Sequence, residues 1–477
     1  MLLKLETSRW QKVIKASGKR WLFVIALLSV AMVALAFRLY SSSAFKPRPV
    51  PVRSMEWSRA TALPDRIILT YADDPATTQS VTWRTDTTIK KAFAEIELAD
   101  AAPRFGKEAK RVTAQTTLMN ALEVETAQTA SHHHAITFTN LLPDTTYAYR
   151  VGDGVQWSEW FHFRTASKEA APFTFLFMGD VQNNILETYS RLVREAYKKA
   201  PDARLVLHAG DMVEGAHNER QWHEWFTAAG WLNGSIANLP AAGNHEYGGL
   251  TQAAHKAKNR QLSVQWNQQF TLPQNGPQGL KETTYFIDYQ GVRFIMLNST
   301  VEVAKQTKWL KQLLENNPQK WTVVTFHHPI FSAAYHKDNK EVRTQWQPLF
   351  EQYGVDLVLT GHEHTYTRGQ ALQKGKATGP VYVVSVSGGK MYGFNEKEVW
   401  KDYNAQLQRK GENTQLFQVV HIDGDKLMFK TYTATGALYD AFELLKDKAS
   451  GRSFLQPAST PLAAERTHKN TIAYKSK

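Results

Sequence analysis

The 477 residues are too many for one ordinary core, and a hydrophobic share of 43% with 12% aromatics excludes a disordered chain. The formal charge of +13 gathers at the ends: residues 1–20 and 448–477 carry +5 each, which leaves +3 for everything between. That distribution, with no basic stripe among aromatics, argues against nucleic acid as a partner and for a membrane surface, while the lack of cysteine excludes disulfides, thiolate zinc sites and thiol catalysis.

In chain order, the basic segment 1–20 is expected to stay in the cytosol. Residues 21–37, WLFVIALLSVAMVALAF, are interrupted by one polar residue, Ser29, and suffice for a short membrane-crossing helix. Lys12, Lys15, Lys19 and Arg20 before it orient the rest of the chain outward. The pattern predicts an N-terminal transmembrane helix with the remainder periplasmic or at the cell surface. Ala34-Leu35-Ala36 leaves a cleaved signal, and hence secretion, as the alternative. Residues 38–62 read as a Ser/Pro/Arg-rich linker.

Between 63 and 165 come short alternating runs at 80–84, 92–98, 135–138, 147–151 and 160–164, with a turn at Leu142-Pro143-Asp144, which predict an all-β sandwich. His132-His133-His134 reads as a structural edge segment just before a strand rather than as a metal tract. From 166 to 447 apolar runs at 173–178, 203–209, 322–326 and 355–360 alternate with helical stretches such as 186–199, which predicts an α/β domain. Trp222, Trp225 and Phe226 form the apolar face of another helix, and strand-like 415–422 and 426–433 close or cap the sheet. The tail 448–477 is expected to be disordered.

The apolar runs end in metal-capable side chains: Asp180 and Gln182 in GDVQ, Asp211 in AGDM, His327 and His328 in FHHP, and His362 and His364 in TGHEH, with Asn244, His245 and Glu246 in AGNHE between. In open α/β sheets ligands bind beyond the carboxyl ends of the strands, so these clusters are expected to converge. Mixed carboxylate, carboxamide and imidazole donors suit Zn, Fe or Mn.

This ordered set resembles the calcineurin-like metallophosphoesterase superfamily, whose blocks run D-x-[H/Q], G-D, G-N-H-[D/E], H and G-H-x-H. Trp83 in SVTWRT, with LLPDTTYAYRVGDG and WSEWFHFRT, resembles the fibronectin-III-like domain that precedes the catalytic domain of purple acid phosphatases. The resemblance implies an α-β-β-α sandwich at 166–447 behind a fibronectin-III-like domain at 63–165. It implies two metal ions: Asp180, Asp211 and His364 at one, and Asp211, Asn244, His327 and His362 at the other. Gln182 is either a further ligand or a hydrogen-bonding neighbour. The implied reaction is hydrolysis of phosphate monoesters, small molecules or nucleotides, by metal-bound hydroxide, with His245 as general acid. Glu246 is expected to orient His245 or to stabilise its loop, and His336 either binds substrate or is a surface histidine. His328 is expected beside the ligands and His208 in the core. Glu214 stands where purple acid phosphatases have the tyrosine that gives their colour, so a colourless enzyme is expected. The same ligands serve a phosphodiesterase or nucleotide hydrolase. A catalytically inert surface-binding protein is the reading from another class, and the retention of all these ligands weighs against it.

Overall fold

Alternation of buried and exposed positions builds the first part of the chain. The computed structural model describes residues 55–121, 129–249, 260–334, 338–394 and 399–468. The expected membrane helix at 21–37, the linker up to residue 54 and His336 lie outside the described residues. Among the described residues no helix is long and apolar enough to cross a membrane.

Two four-stranded antiparallel sheets form the sandwich. One orders Asp65–Thr70, Gln79–Asp86, Ser131–Phe138 and Gln115–Met119; the other orders Lys110–Thr113, Phe93–Leu98, Thr146–Gly152 and Phe161–Arg164. Trp83, Phe138, Tyr149, Val151 and Phe163 fill the space between them. The Tyr147 hydroxyl accepts from the Leu142 N–H at 2.9 Å, a tyrosine corner that pins the turn before its strand. The histidine tract does not precede a strand as expected. His132–His134 lie inside one, opposite Thr85, Arg84 and Trp83, and all three are buried. His134 hydrogen-bonds Thr85 Oγ1 at 2.8 Å and Thr116 Oγ1 at 2.9 Å, so its polarity is satisfied by the sheet.

The larger part is a four-layer α-β-β-α sandwich. In the first seven-stranded sheet, Ala237–Pro240, Leu205–His208 and Phe173–Met178 run parallel, and Leu416–Asp423, Lys426–Thr433, Leu438–Lys446 and Ser453–Pro457 extend it antiparallel. In the second, Val292–Met296, Trp321–Thr325, Leu357–Thr360 and Lys376–Val384 run parallel, flanked by antiparallel Tyr285–Tyr289 on one side and by Tyr366–Gln373 and Ala405–Gly411 on the other. The sheets face each other through rings such as Phe175 and Phe294, with centroids 5.2 Å apart, and Tyr285 donates across to the Pro240 carbonyl at 2.9 Å. Helices Ile185–Lys199 and Glu219–Ala229 pack together beside the first sheet, and Val303–Glu315 and Lys340–Gln352 cover the second. Ser453–Pro457, inside the stretch expected to be disordered, instead pairs with Leu438–Lys446. The main chain there meets an otherwise open sheet edge, a partner that side-chain composition does not reveal.

Sandwich and α/β part belong to one compact unit that starts at Met55. Their seam holds a buried ion network in which Arg66 and Arg84 of the sandwich both bond Glu219 in the first turn of its helix, and Arg84 also bonds Asp65. Burial and the neighbouring Arg84 press the Arg66 guanidinium down to about 10 despite Glu219 and Asp65. Tyr149 adds a hydrogen bond to the Gly234 carbonyl at 2.7 Å.

Glu219→Ala leaves two buried guanidiniums short of their anion, and is expected to cost about 3–5 kcal/mol in chemical denaturation. His208 provides a pH test. It is buried, bonded to Asn238 at 2.8 Å, and burial pushes it down to about 4 against that hydrogen bond. Its folded value lies below the unfolded 6.5, so in that interval the unfolded chain binds more protons and stability rises as pH rises. The contribution is whole above about pH 6.5 and is lost progressively toward pH 4, about 3 kcal/mol from this residue. His208→Gln is expected to flatten the pH dependence of the unfolding free energy by that amount.

Candidate metal centre

The parallel strands of both sheets end at one edge, and the polar clusters follow directly. Asp180 comes two residues after Phe173–Met178, Asp211 three after Leu205–His208, His327 two after Trp321–Thr325 and His362 two after Leu357–Thr360. Asn244–Glu246 form a single 3-10 turn beyond Ala237–Pro240. The backbone is strained where it turns in. Asp180, Asp211, His362 and His364 have φ of +54°, +51°, +73° and +49°, a region side-chain-bearing residues enter at a cost. Two motif glycines are required for close approach: a β-carbon on Gly243 would overlap Asp211 Oδ1, and one on Gly361 would overlap Asp180 Oδ2.

Donor atoms converge there. His327 Nε2 lies 3.2 Å from Asp211 Oδ2, 3.0 Å from Asn244 Oδ1 and 3.1 Å from His362 Nδ1. His364 Nε2 lies 3.7 Å from Asp180 Oδ1 and 3.2 Å from Gln182 Nε2. Asp180, Asp211 and His364 offer donor atoms within 4.8 Å of one another, as do His327, His328 and His362. The Gln182 amide nitrogen donates to Asp211 Oδ2 at 3.0 Å, while its buried Oε1 has no protein partner. Gln182 therefore stands between Asp211 and His364 with one oxygen to spare.

Surrounding carbonyls fix the imidazoles. His327 Nδ1 donates to the Ala209 carbonyl at 2.8 Å and His364 Nδ1 to the Lys390 carbonyl at 2.9 Å, which leaves both Nε2 atoms facing inward, as metal-binding histidines are held. The buried acids are strongly perturbed. Burial drives Asp180 well above the usual carboxylate range, with Asp211 adding to the rise. Asp211 is held low against burial by His327, while His327 is carried up to about 9 against burial by Asp211 and Asp180. Burial takes His364 down to about 3. So many buried carboxylates need cationic compensation, and two divalent cations fit the donor set, including the spare Gln182 oxygen.

Glu246 departs from one half of its expectation. Its carboxylate accepts from the N–H groups of Asp211, Met212 and Gly243 at 2.8, 2.8 and 2.7 Å, so it stabilises the loop. Burial and the Asp211 charge raise it to about 7. The contact that orients His245 is the Glu214 carbonyl, which accepts from Nδ1 at 2.7 Å and leaves Nε2 3.9 Å from Asp211 Oδ2. The His328 ring packs against His362 at 4.2 Å between centroids, tilted by 47°, with Nδ1 2.9 Å from Ser299 Oγ. Sequence reasoning missed the roles of Ala209, Glu214 and Lys390 because main-chain carbonyls act there, and any residue supplies one.

Residues 173–366 match the calcineurin-like phosphoesterase family and residues 64–165 the purple acid phosphatase N-terminal domain, together more than half of the chain. Purple acid phosphatase 18 of Arabidopsis thaliana is 23% identical over 388 residues, 78% of this chain and 82% of that protein. The phosphoenolpyruvate phosphatase of Allium cepa is 23% identical over 396 residues, 76% and 78% of the two chains. Purple acid phosphatase 15 of Arabidopsis thaliana is 26% identical over a shorter span, 53% of its length. Among solved structures, a purple acid phosphatase from yellow lupin (Lupinus luteus) seeds shares the fold with a TM-score of 0.68 at 18% identity, over 84% of this chain and 78% of that one. With the donor set above, these matches identify the chain as a purple acid phosphatase-like protein of the calcineurin-like metallophosphoesterase superfamily, a hydrolase of phosphate esters that works with two metal ions.

Proposed function

We propose that the chain is an exported phosphatase of monoesters. In this reading Asp180, Gln182, Asp211 and His364 hold one metal ion, and Asp211, Asn244, His327 and His362 hold the other. The observation that carries it is the Asp211 carboxylate, whose Oδ2 meets Gln182 on one side at 3.0 Å and His327 on the other at 3.2 Å. When bound, the two ions supply Lewis acidity toward phosphoryl oxygens and acidify a water.

The remaining work falls to side chains. His245 keeps its Nδ1 proton on the Glu214 carbonyl, so Nε2 is the atom that holds a proton for the leaving alkoxide. Glu246 positions the loop through three main-chain contacts. Ligand types favour Fe, Zn or Mn, and Glu214 in the place of a tyrosine favours a colourless protein. Relatives named as a purple acid phosphatase and as a phosphoenolpyruvate phosphatase support monoesters as the substrate class, and within it the reading covers small phosphorylated molecules and nucleotides. Export, with residues 21–37 as anchor or signal, rests on the apolar sequence there.

Turnover of a chromogenic aryl phosphate and of the matching diester, each with and without chelator, tests the substrate class. The expected result is preferred monoester hydrolysis that chelator abolishes. Equal or faster diester turnover would make the chain a phosphodiesterase, and no turnover with Fe, Zn or Mn loaded would leave an inert fold. Asp211→Ala is expected to lower metal content from two ions to less than one by elemental analysis. Activity should fall at least about a thousandfold, about 4 kcal/mol of barrier.

A further inference from the structure

The groups at the floor of the centre are buried, whereas the side chains around its mouth are not. Asp180, Asp211, His327 and His364 expose 2% or less, while His245, Glu214 and Lys390 expose 25%, 37% and 27%. Lys390 Nζ lies 3.5 Å from Glu214 Oε2. This ion pair joins the loop that braces His364 to the loop that braces His245, for the Lys390 and Glu214 carbonyls are the acceptors of those two imidazoles. The Tyr392 ring packs on His364 at 4.6 Å between centroids and lies 5.9 Å from Lys390 Nζ, so one ring touches a donor of the centre and neighbours the lysine. The main-chain carbonyls of both residues make these hydrogen bonds, and Glu214 Oε2 also lies 3.9 Å from His245 Nδ1.

An ammonium beside a cluster built to hold two cations is repelled by them, so its place there needs an anion at hand, a part that Glu214 plays and that a phosphate group can take over. A partly exposed pair at this distance is weak, so an arriving phosphate can displace the carboxylate. Resting on the phosphatase reading, we infer that Lys390 is a substrate-binding residue that donates to an outer oxygen of the phosphate group, and that Glu214 competes for it. Glu214 thereby loosens the hold on inorganic phosphate and favours product release. The carboxylate also disfavours a substrate whose leaving group carries its negative charge on that side.

The test uses the metal-loaded full chain and inorganic phosphate as probe, by calorimetric titration and as a competitive inhibitor of aryl phosphate turnover. Lys390→Gln is expected to weaken phosphate binding and raise KM in parallel, each about tenfold, as loss of a charge-assisted hydrogen bond requires. Lys390→Arg should restore most of the affinity. Glu214→Gln should tighten phosphate about two- to fivefold, and because it leaves Lys390 in place it carries the test should Lys390→Gln fail to fold. Unchanged phosphate affinity in Lys390→Gln with two metals bound, or weaker affinity in Glu214→Gln, overturns the inference while wild-type turnover leaves the phosphatase standing. Wild type that neither binds phosphate nor hydrolyses an ester overturns both.

Discussion

One carboxylate, that of Asp211, fixes where the rest of the centre stands. A buried anion is stable only where donors and cations surround it in good geometry. Asp211 meets that condition on every side: its Oδ1 accepts from the His245 N–H at 2.9 Å, its Oδ2 faces His327 and Gln182, and its own N–H donates to Glu246 at 2.8 Å. Those four partners come from three other blocks of the sequence. The two-sheet architecture is what brings the blocks together, since the parallel strands of both sheets deliver their loops to one edge.

Holding those loops has a conformational cost that the remainder of the fold offsets. Four residues of the centre sit at positive φ, and the glycines beside them allow main chain and carboxylate to approach without a β-carbon between. Such strain persists only if the surroundings over-determine it. Here the surroundings are strands buried along their whole length, with aromatic side chains packed across the two sheets. The shared edge of the sheets is therefore rigid, and the rigidity is exerted on the side chains that need it.

Much of this was legible in the sequence because it repeats one signal, an apolar run that stops at a metal-capable residue. The run at 173–178 coincides with a strand, the run at 355–360 contains the strand Leu357–Thr360, and the helix expected at 186–199 begins one residue earlier, at Ile185. What stayed hidden has physical causes. Strands such as Lys110–Thr113 and Ser453–Pro457 lie at sheet edges and bury few side chains, so alternation is faint there. The histidine tract masked the first half of a central strand because its polar rings find hydrogen bonds inside the sandwich. For Glu246 the sequence left two roles open, orienting His245 or stabilising the loop; its carboxylate turns back to three main-chain N–H groups, which is the second. Lys390 followed two glycines after a strand at the same sheet edge, which was the one available signal for it.

The sandwich domain takes part in this arrangement. Arg66 and Arg84 grip Glu219, which opens the helix Glu219–Ala229. Asn218 caps that helix by accepting from the Gln221 N–H at 3.1 Å, and Gln221 Oε1 in turn accepts from the N–H groups of Glu214 and Gly215 at 3.1 and 2.8 Å. Glu214 then presents its carbonyl to His245. A chain of contacts thus runs from two sandwich arginines, through a helix start, to the tautomer and aim of the histidine proposed to protonate the leaving group. Each link is a hydrogen bond or ion pair, and those at the seam are fully buried, so the aim of His245 is set by packing between the two domains as much as by its own loop. A sandwich with no ligand of its own in the centre is in this way part of the catalytic architecture.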